Sequence, residues 1–240
     1  GPEAALPVYL RVNYASRRPI LRKVRDSDIP LLTGTPDRIN HNNNERDYYN
    51  GALYFTPDGS MKMYYKMHLV PFAEYIPFSE KFTMLKRLNF GQGNFTPGRD
   101  FTLFEVDSVP FGNLICYESS IPTFVSEFVR RGAKFLSIET NDSWCGHTSG
   151  VYQHFQIARL RAVENRVAIA RSANTGISGL ILPTGEVAEK IPYNEQQIIL
   201  AEIPIRDLES FYMRFGELFA IICSLISTIL LGAGWIKNRS

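Results

Sequence analysis

The stretch Tyr64-Tyr-Lys-Met-His-Leu-Val-Pro-Phe-Ala-Glu-Tyr-Ile-Pro77 begins as a strand and ends as a loop crowded with ionisable and aromatic groups. Met61, Met63 and Tyr65 alternate onto one face, and the prolines at 71 and 77 break the strand. A strand that delivers Lys66 and His68 to its end, followed by a rigid turn presenting Glu74, has the character of an active-site edge. A solvated loop with ordinary charges gives the same local pattern, so the flanking segments decide.

Upstream, Tyr49–Phe55 and Lys62–Lys66 read as two strands joined at Pro57-Asp-Gly59, a hairpin turn signal. Ile29–Gly34 reads as a buried strand, residues 8–28 as an Arg- and Lys-rich helix exposed on one face, and Arg38–Asp47 as a polar loop. Downstream, Glu80–Asp100 is irregular, and a loop of that length inside a domain is a candidate lid or binding loop. Phe101–Val106 and Phe111–Ile115 are strand-like, the second running directly into Cys116-Tyr-Glu118. A helix over Ile121–Arg131 and a strand over Phe135–Glu139 follow, the strand ending in Thr140-Asn-Asp-Ser-Trp144. Gln153–Asn165 is the clearest amphipathic helix; Val167–Arg171, Gly179–Leu182 and Ile198–Ile203 are expected strands around the Pro183-Thr-Gly185 turn. Buried apolar strands interleaved with helices indicate α/β layers.

A chain of 240 residues, 45% hydrophobic and 21% charged, can bury one sizeable domain. Its net charge of +2, without a basic cluster, gives no electrostatic case for nucleic acid. Cys116, Cys145 and Cys223 are too widely spaced for a disulfide framework or a zinc site, the histidines lack ligand spacing, and no metal is expected. Gly1-Pro-Glu-Ala-Ala-Leu-Pro7 is neither basic nor long enough for a targeting signal. At the other end, Leu218–Trp235 runs uncharged for about 18 residues, about 27 Å as a helix, near the thickness of a bilayer's hydrocarbon. A buried core helix would carry a polar face that Ser224, Ser227 and Thr228 hardly supply. Trp235 sits where an interfacial aromatic would, and Lys237 and Arg239 place the C-terminus in the cytoplasm by the positive-inside tendency. A single C-terminal transmembrane helix is therefore expected.

A nucleophilic cysteine needs a base or a positive neighbour to form its thiolate. Cys116 follows a buried strand, as a nucleophile displayed at a strand end would; an inert buried thiol has the same local sequence. Lys66 also ends a strand, and Glu3, in a short turn between prolines, stands near another. The carboxyl ends of neighbouring strands converge on one crevice in α/β sheets, so the three groups can meet.

Pro2-Glu3, the Lys66-x-His-Leu-Val-Pro-Phe-x-Glu74-Tyr-x-Pro77 block and Cys116-Tyr-Glu118 resemble the three active-site blocks of the nitrilase (carbon–nitrogen hydrolase) superfamily. The lysine block, Asn141-Asp-x-Trp144, Gln153-His-x-Gln-x-Ala-Arg-x-Arg-Ala162 and Arg171-x-x-Asn-Thr-Gly176 are similar to its apolipoprotein N-acyltransferase branch. Ala73 in place of glycine, Cys145-Gly-His147 and Asn165-Arg-Val167 depart from that branch's usual pattern. The resemblance implies an αββα sandwich over residues 1–210, its N-terminal part missing, then the transmembrane helix and a short cytoplasmic tail over 211–240. It implies Glu3 as general base, Cys116 as nucleophile and Lys66 as the cation that stabilises developing charge. Glu74 and Glu118 would be accessory carboxylates, Tyr117 the nucleophile's neighbour, and Cys145 would lie outside the constellation.

No cofactor is implied. The implied partners are a phospholipid acyl donor, a diacylglyceryl-lipoprotein acceptor and the bilayer, with the domain on the periplasmic face of a bacterial inner membrane. The lid would be Glu80–Asp100, with Phe82, Met84, Leu85, Leu88, Phe90 and Phe95 as its apolar side chains. Two other readings stay open: a membrane-tethered amidase with water as acceptor, and a non-catalytic membrane-bound interaction module.

Overall fold

The computed structural model describes residues 1–42, 45–77, 94–146 and 148–237, the side chains of 233, 236 and 237 excepted. Helix α1 (Tyr14–Ser27) opens on an Asn13 side chain that accepts from the Ser16 N–H, and it closes on Asp28 in the left-handed region. Strands β1 (Leu31–Asn40), β2 (Arg46–Phe55) and β3 (Met61–Tyr65) form an antiparallel sheet in the order β1-β2-β3. The expected hairpin is present, with Phe55 opposite Met61 across the Pro57-Asp-Gly59 turn. The polar loop expected over 38–47 is shorter than its composition suggests, because β1 continues to Asn40 opposite Arg46.

The second sheet has six strands in sequence order: β4 (Leu103–Val106), β5 (Val109–Ile115), β6 (Phe135–Asn141), β7 (Ala168–Asn174), β8 (Ser178–Ile181) and β9 (Val187–Ile191). The β5-β6-β7 centre is parallel and the flanking pairs are antiparallel. Helices α2 (Pro122–Arg130) and α3 (Gly150–Asn165) supply the crossovers on its outer face. The inner stripe of α3 is Val151, Phe155, Ala158 and Ala162 at helical spacing, but Arg161 and Asn165 are buried beside it. Its inner face is thus less apolar than the sequence period suggests.

The layers stack as α1, three-stranded sheet, six-stranded sheet, then α2 with α3. Leu53 and Phe55 face α1, packing with Leu10 and Val24. Ala52, Tyr54 and Tyr64 belong to the main core with Phe111, Leu114, Phe135 and Phe128. Tyr54 joins the sheets: its ring lies 5.2 Å from that of Phe104 and 5.6 Å from that of Phe111, and its hydroxyl donates to the Glu105 carbonyl at 2.8 Å.

Two expectations need correction. Residues 198–203 are not a strand: β9 occupies the free edge of β8, and Ile198 and Leu200 stand in solvent while only Ile203 packs on the core. At the C-terminus, α4 (Phe211–Phe215) and α5 (Leu218–Lys237) form, but among the described residues no helix is long and apolar enough to cross a membrane. Of the lid residues, Phe82, Met84, Leu85, Leu88 and Phe90 lie outside the described residues.

Candidate active site

Lys66 follows the last residue of β3. Its N–H donates to the Asn50 carbonyl at 2.9 Å and its own carbonyl accepts from Gly98 N–H at 2.8 Å, so the backbone is fixed on both sides. The ammonium is then driven inward, where the residue is 1% exposed. A buried charge persists only with partners, and Lys66 has two: Nζ donates to Glu74 Oε1 at 2.8 Å and reaches Glu3 Oε1 at 3.5 Å. Burial acts to lower the lysine's pKa, but Glu3, the Cys116 sulfur and Glu74 reverse that and hold it above its ordinary value.

Each carboxylate is positioned by main chain. Glu74 sits in a tight turn in which Glu74 N–H donates to the Val70 carbonyl, while Val70 N–H donates to Glu74 Oε2 at 2.8 Å. Glu3 stands in a proline-flanked turn, not at the end of a described strand. Pro2 carbonyl accepts from both Ala5 and Gly34 N–H groups, and Asn141 N–H donates to Glu3 Oε2 at 2.9 Å. Gly34 permits this approach: a Cβ there would lie 2.6 Å from the Ala4 nitrogen and 2.8 Å from Glu3 Cα. Asn50, on β2, completes the cluster by donating through Nδ2 to Glu3 Oε1 at 2.8 Å and Glu74 Oε1 at 2.9 Å. Sequence reasoning missed Asn50; its one signal was a polar residue inside an otherwise apolar strand.

Cys116 is the first residue after β5 and begins a 3-10 turn, Cys116–Ser120, with φ of 52°. A cysteine in the left-handed region is held there by its surroundings, as residues at strand-to-helix elbows are. Burial, then the Glu3 carboxylate, push its thiol up to about 12, against the lowering effects of Lys66 and Thr140. At neutral pH the sulfur is therefore held as the thiol.

Glu3, Lys66, Glu74, Cys116 and Tyr117 line one cavity of about 320 Å³, together with Asn50, Asn141, Asp142, Trp144 and His154. Cys145, expected outside, lines the same cavity. Glu118 does not: it is fully buried and acts as a clasp between the sheets. Its Oε1 accepts from Tyr64 hydroxyl (2.8 Å), Met67 N–H (2.7 Å) and His68 N–H (3.2 Å), and its Oε2 from Ile115 N–H (2.8 Å). Burial pushes Glu118 up to about 7 in spite of these donors. Among the described residues no group of three or more His, Cys, Asp or Glu is placed to hold a metal ion.

The arrangement supplies a thiol, carboxylates within reach of a shared cation, and a cavity whose walls include Val70, Ala73, Ile157 and Trp144. Such a set can perform acyl chemistry by nucleophilic catalysis.

The profile of the carbon–nitrogen hydrolase family matches residues 1–212. An apolipoprotein N-acyltransferase of Chlorobaculum tepidum is 37% identical, over 99% of this chain and 49% of its own length. One from Geobacter metallireducens is 34% identical, over 92% of this chain and 43% of its own length. The chain thus spans about half the length, or less, of these curated relatives. Among solved structures, Nit3 of Saccharomyces cerevisiae, a member of branch 10 of the nitrilase superfamily, matches with a TM-score of 0.57 at 19% identity, covering 76% of this chain and 62% of its own. An amidase from Nesterenkonia sp. matches at 0.54 and 19% identity, covering 80% of this chain and 72% of its own. These structural likenesses concern the fold.

Proposed function

Because the chain belongs to the carbon–nitrogen hydrolase family, we propose that it carries the acyl-transfer site of an apolipoprotein N-acyltransferase, with Cys116 as nucleophile, Glu3 as general base and Lys66 as the stabilising cation. The observation that carries this reading is the buried Lys66 ammonium held between Glu3 and Glu74 on the wall of the cavity that Cys116 also lines. The likeness to apolipoprotein N-acyltransferases supports acyl transfer among the chemistries of the family.

Cys116 Sγ attacks the carbonyl carbon of a phospholipid ester while its proton passes to Glu3. Lys66 lies where it can balance charge on the tetrahedral oxygen. The C–O bond then breaks, the Glu3 proton goes to the departing glycerol oxygen, and a thioester and a lysophospholipid result. The α-amine of a diacylglyceryl-cysteine attacks the thioester, Glu3 takes the amine's proton, and the C–S bond breaks to restore the thiol. Two easier displacements replace one difficult one. Glu74 and Asn50 keep the lysine and the base in register, and Tyr117, 41% exposed, flanks the entering chain.

Residues 1–210 are the catalytic part in this reading, and 211–240 bring it to the inner membrane from the periplasmic side. The α5 side chains Phe219, Ile222, Leu225, Ile229 and Leu230 are all exposed, which suits contact with lipid. The test is intact-mass measurement on the protein after incubation with phospholipid. An acyl adduct on Cys116, absent from Cys116→Ala and discharged by a diacylglyceryl peptide, is the expected result. Discharge by water alone, with ammonia released from small amides, would replace the reading with an amidase. No adduct and no thiol labelling would leave only an interaction module.

A further inference from the structure

Behind Cys116 lies a second set of buried polar groups that the scheme above does not use. His154, in the second turn of α3, places Nδ1 2.8 Å from Asp142 Oδ1. Its Nε2 is 2.9 Å from Ser119 Oγ and 3.2 Å from the Cys116 carbonyl oxygen. Asp142 begins the 3-10 turn that follows β6; its Oδ1 also accepts from Thr140 Oγ1 at 2.9 Å and its Oδ2 from Arg171 Nη2 at 2.8 Å. Arg171, on β7, donates through Nε to the Ile177 carbonyl at 3.0 Å. Asp142 and Arg171 are 2% and 3% exposed, so this network is sealed from water on the side away from the cavity.

The backbone closes tightly over the carboxylate. A Cβ on Gly176 would lie 2.2 Å from Asp142 Oδ2 and 2.8 Å from its carboxyl carbon. Only glycine lets the 175–178 loop cover that group.

We propose that His154 and Asp142 are positioning residues that set the Cys116–Glu3 pair as one unit, through the Cys116 carbonyl on one side and the Asn141 N–H on the other. Cys116 has a φ of 52°, and its carbonyl accepts from Ser119 Oγ at 2.8 Å as well as facing His154, so these partners fix the peptide plane that follows Cys116 and with it ψ. That plane sets the direction of the Cα–Cβ bond and so the aim of the sulfur. On the other side, Asn141 N–H holds Glu3 Oε2, and Asn141 is the residue directly before Asp142. An Asp142 anchored by Arg171, Thr140 and His154 thus anchors the donor to the base. His154 is not itself the base for the thiol, because its two ring nitrogens face Asp142 and the Ser119–Cys116 backbone.

The inference rests on the proposed acyl-transfer reading for its activity readout, and alkylation of Cys116 supplies a readout that does not. His154→Leu fills the space without hydrogen bonds, whereas His154→Gln keeps an amide that can donate toward the Cys116 carbonyl. A misplacement of about 1 Å costs about 100-fold in rate. His154→Leu is accordingly expected to lower kcat by roughly 10- to 100-fold, with KM within about threefold, and to raise the iodoacetamide rate of Cys116 because a sulfur loosened from the Glu3 carboxylate ionises more readily. His154→Gln is expected to recover about tenfold of the kcat loss. Ser119→Ala, which removes the Ser119 Oγ donor to the same carbonyl with little change in volume, is expected to lower kcat about threefold to tenfold and to raise the iodoacetamide rate by less than His154→Leu does.

Native rates in His154→Leu would overturn the proposal, as would equal losses in the Leu and Gln variants at equal folded fraction by circular dichroism. If His154→Leu does not fold, an unchanged Ser119→Ala overturns it instead. Wild-type protein that transfers no acyl chain, with the alkylation pattern intact, sinks the acyl-transfer reading and keeps the positioning set. Normal transfer with no alkylation pattern does the reverse.

Discussion

Replacing Glu3 by Gln should make Cys116 more reactive toward a simple alkylating agent and less able to transfer an acyl chain. The thiol is pushed up to about 12, chiefly by burial and then by the Glu3 carboxylate, with Lys66 pulling the other way. Iodoacetamide reacts with thiolate, so its rate follows the ionised fraction. At pH 8 a thiol near 12 is ionised in about one molecule in 10,000, and one near 8.5 in about a quarter, a ratio of about 2,000. Native Cys116 should therefore alkylate about 2,000-fold more slowly than a free thiol, its rate rising about tenfold per pH unit from 7 to 10. Glu3→Gln removes a raising influence, moves the curve to lower pH and abolishes the acyl adduct. Lys66→Met removes a lowering one and moves it to higher pH. The assay is a pH series of iodoacetamide rates read as Cys116 carboxymethylation by mass. A native plateau near pH 8.5, or a Glu3→Gln variant that alkylates more slowly than native at pH 8, would refute the reasoning.

Gly34→Ala places a methyl 2.6 Å from the Ala4 nitrogen. The Glu3 turn should shift, with transfer falling by about 100-fold and a stability loss of about 1–3 kcal/mol in urea unfolding. Asn50→Asp sets a third carboxylate beside the two that Asn50 now bridges. It should cost more activity than Asn50→Leu, and equal losses would show that the bridge carries no charge logic. Glu139 is buried, and burial pushes it up to about 8 against the lowering effects of the Gly1 ammonium and the Asn113 amide. An acid raised in the folded state binds its proton more tightly there than in the unfolded chain, so stability falls as pH rises from about 4.3 to about 8. Glu139→Gln should flatten this, raising Tm at pH 8 by more than at pH 5 and recovering on the order of a few kcal/mol; an equal change at both pH values contradicts it.

The layers and most strands were legible because buried runs, turn residues and strand-end charges repeat a local grammar. Lys66, Glu74 and Cys116 stood out for the same reason: each ends or follows a strand that the pattern defines. Residues 198–203 misled because an apolar run has strand propensity by composition alone, whereas here Ile198 and Leu200 stand in solvent and the segment joins no sheet. The run 218–235 has the hydropathy of a membrane span, yet among the described residues the helix formed there falls short of one. Asn50 was invisible because its partners lie 47 and 24 residues away. Glu118 looked like a site carboxylate by its place beside Cys116, but a 3-10 turn rotates it away from the cavity into the core.

The site is a seam. Glu3, Asn50, Lys66 and Glu74 come from the three-stranded side and Cys116, Asn141 and Asp142 from the six-stranded side, and the polar links across it join distant parts of the chain. Glu3 to Asn141 spans 138 residues, Tyr64 to Glu118 spans 54, and Met67 to Glu118 spans 51. The β1–β3 meander closes short loops and can form early, whereas the seam waits on long ones whose closure is slow. With the sheets unjoined, Cys116 lies apart from Glu3 and Lys66 and the cluster is not assembled. Chemistry is then the last property this chain acquires as it folds, and the first it loses when the sheets begin to part.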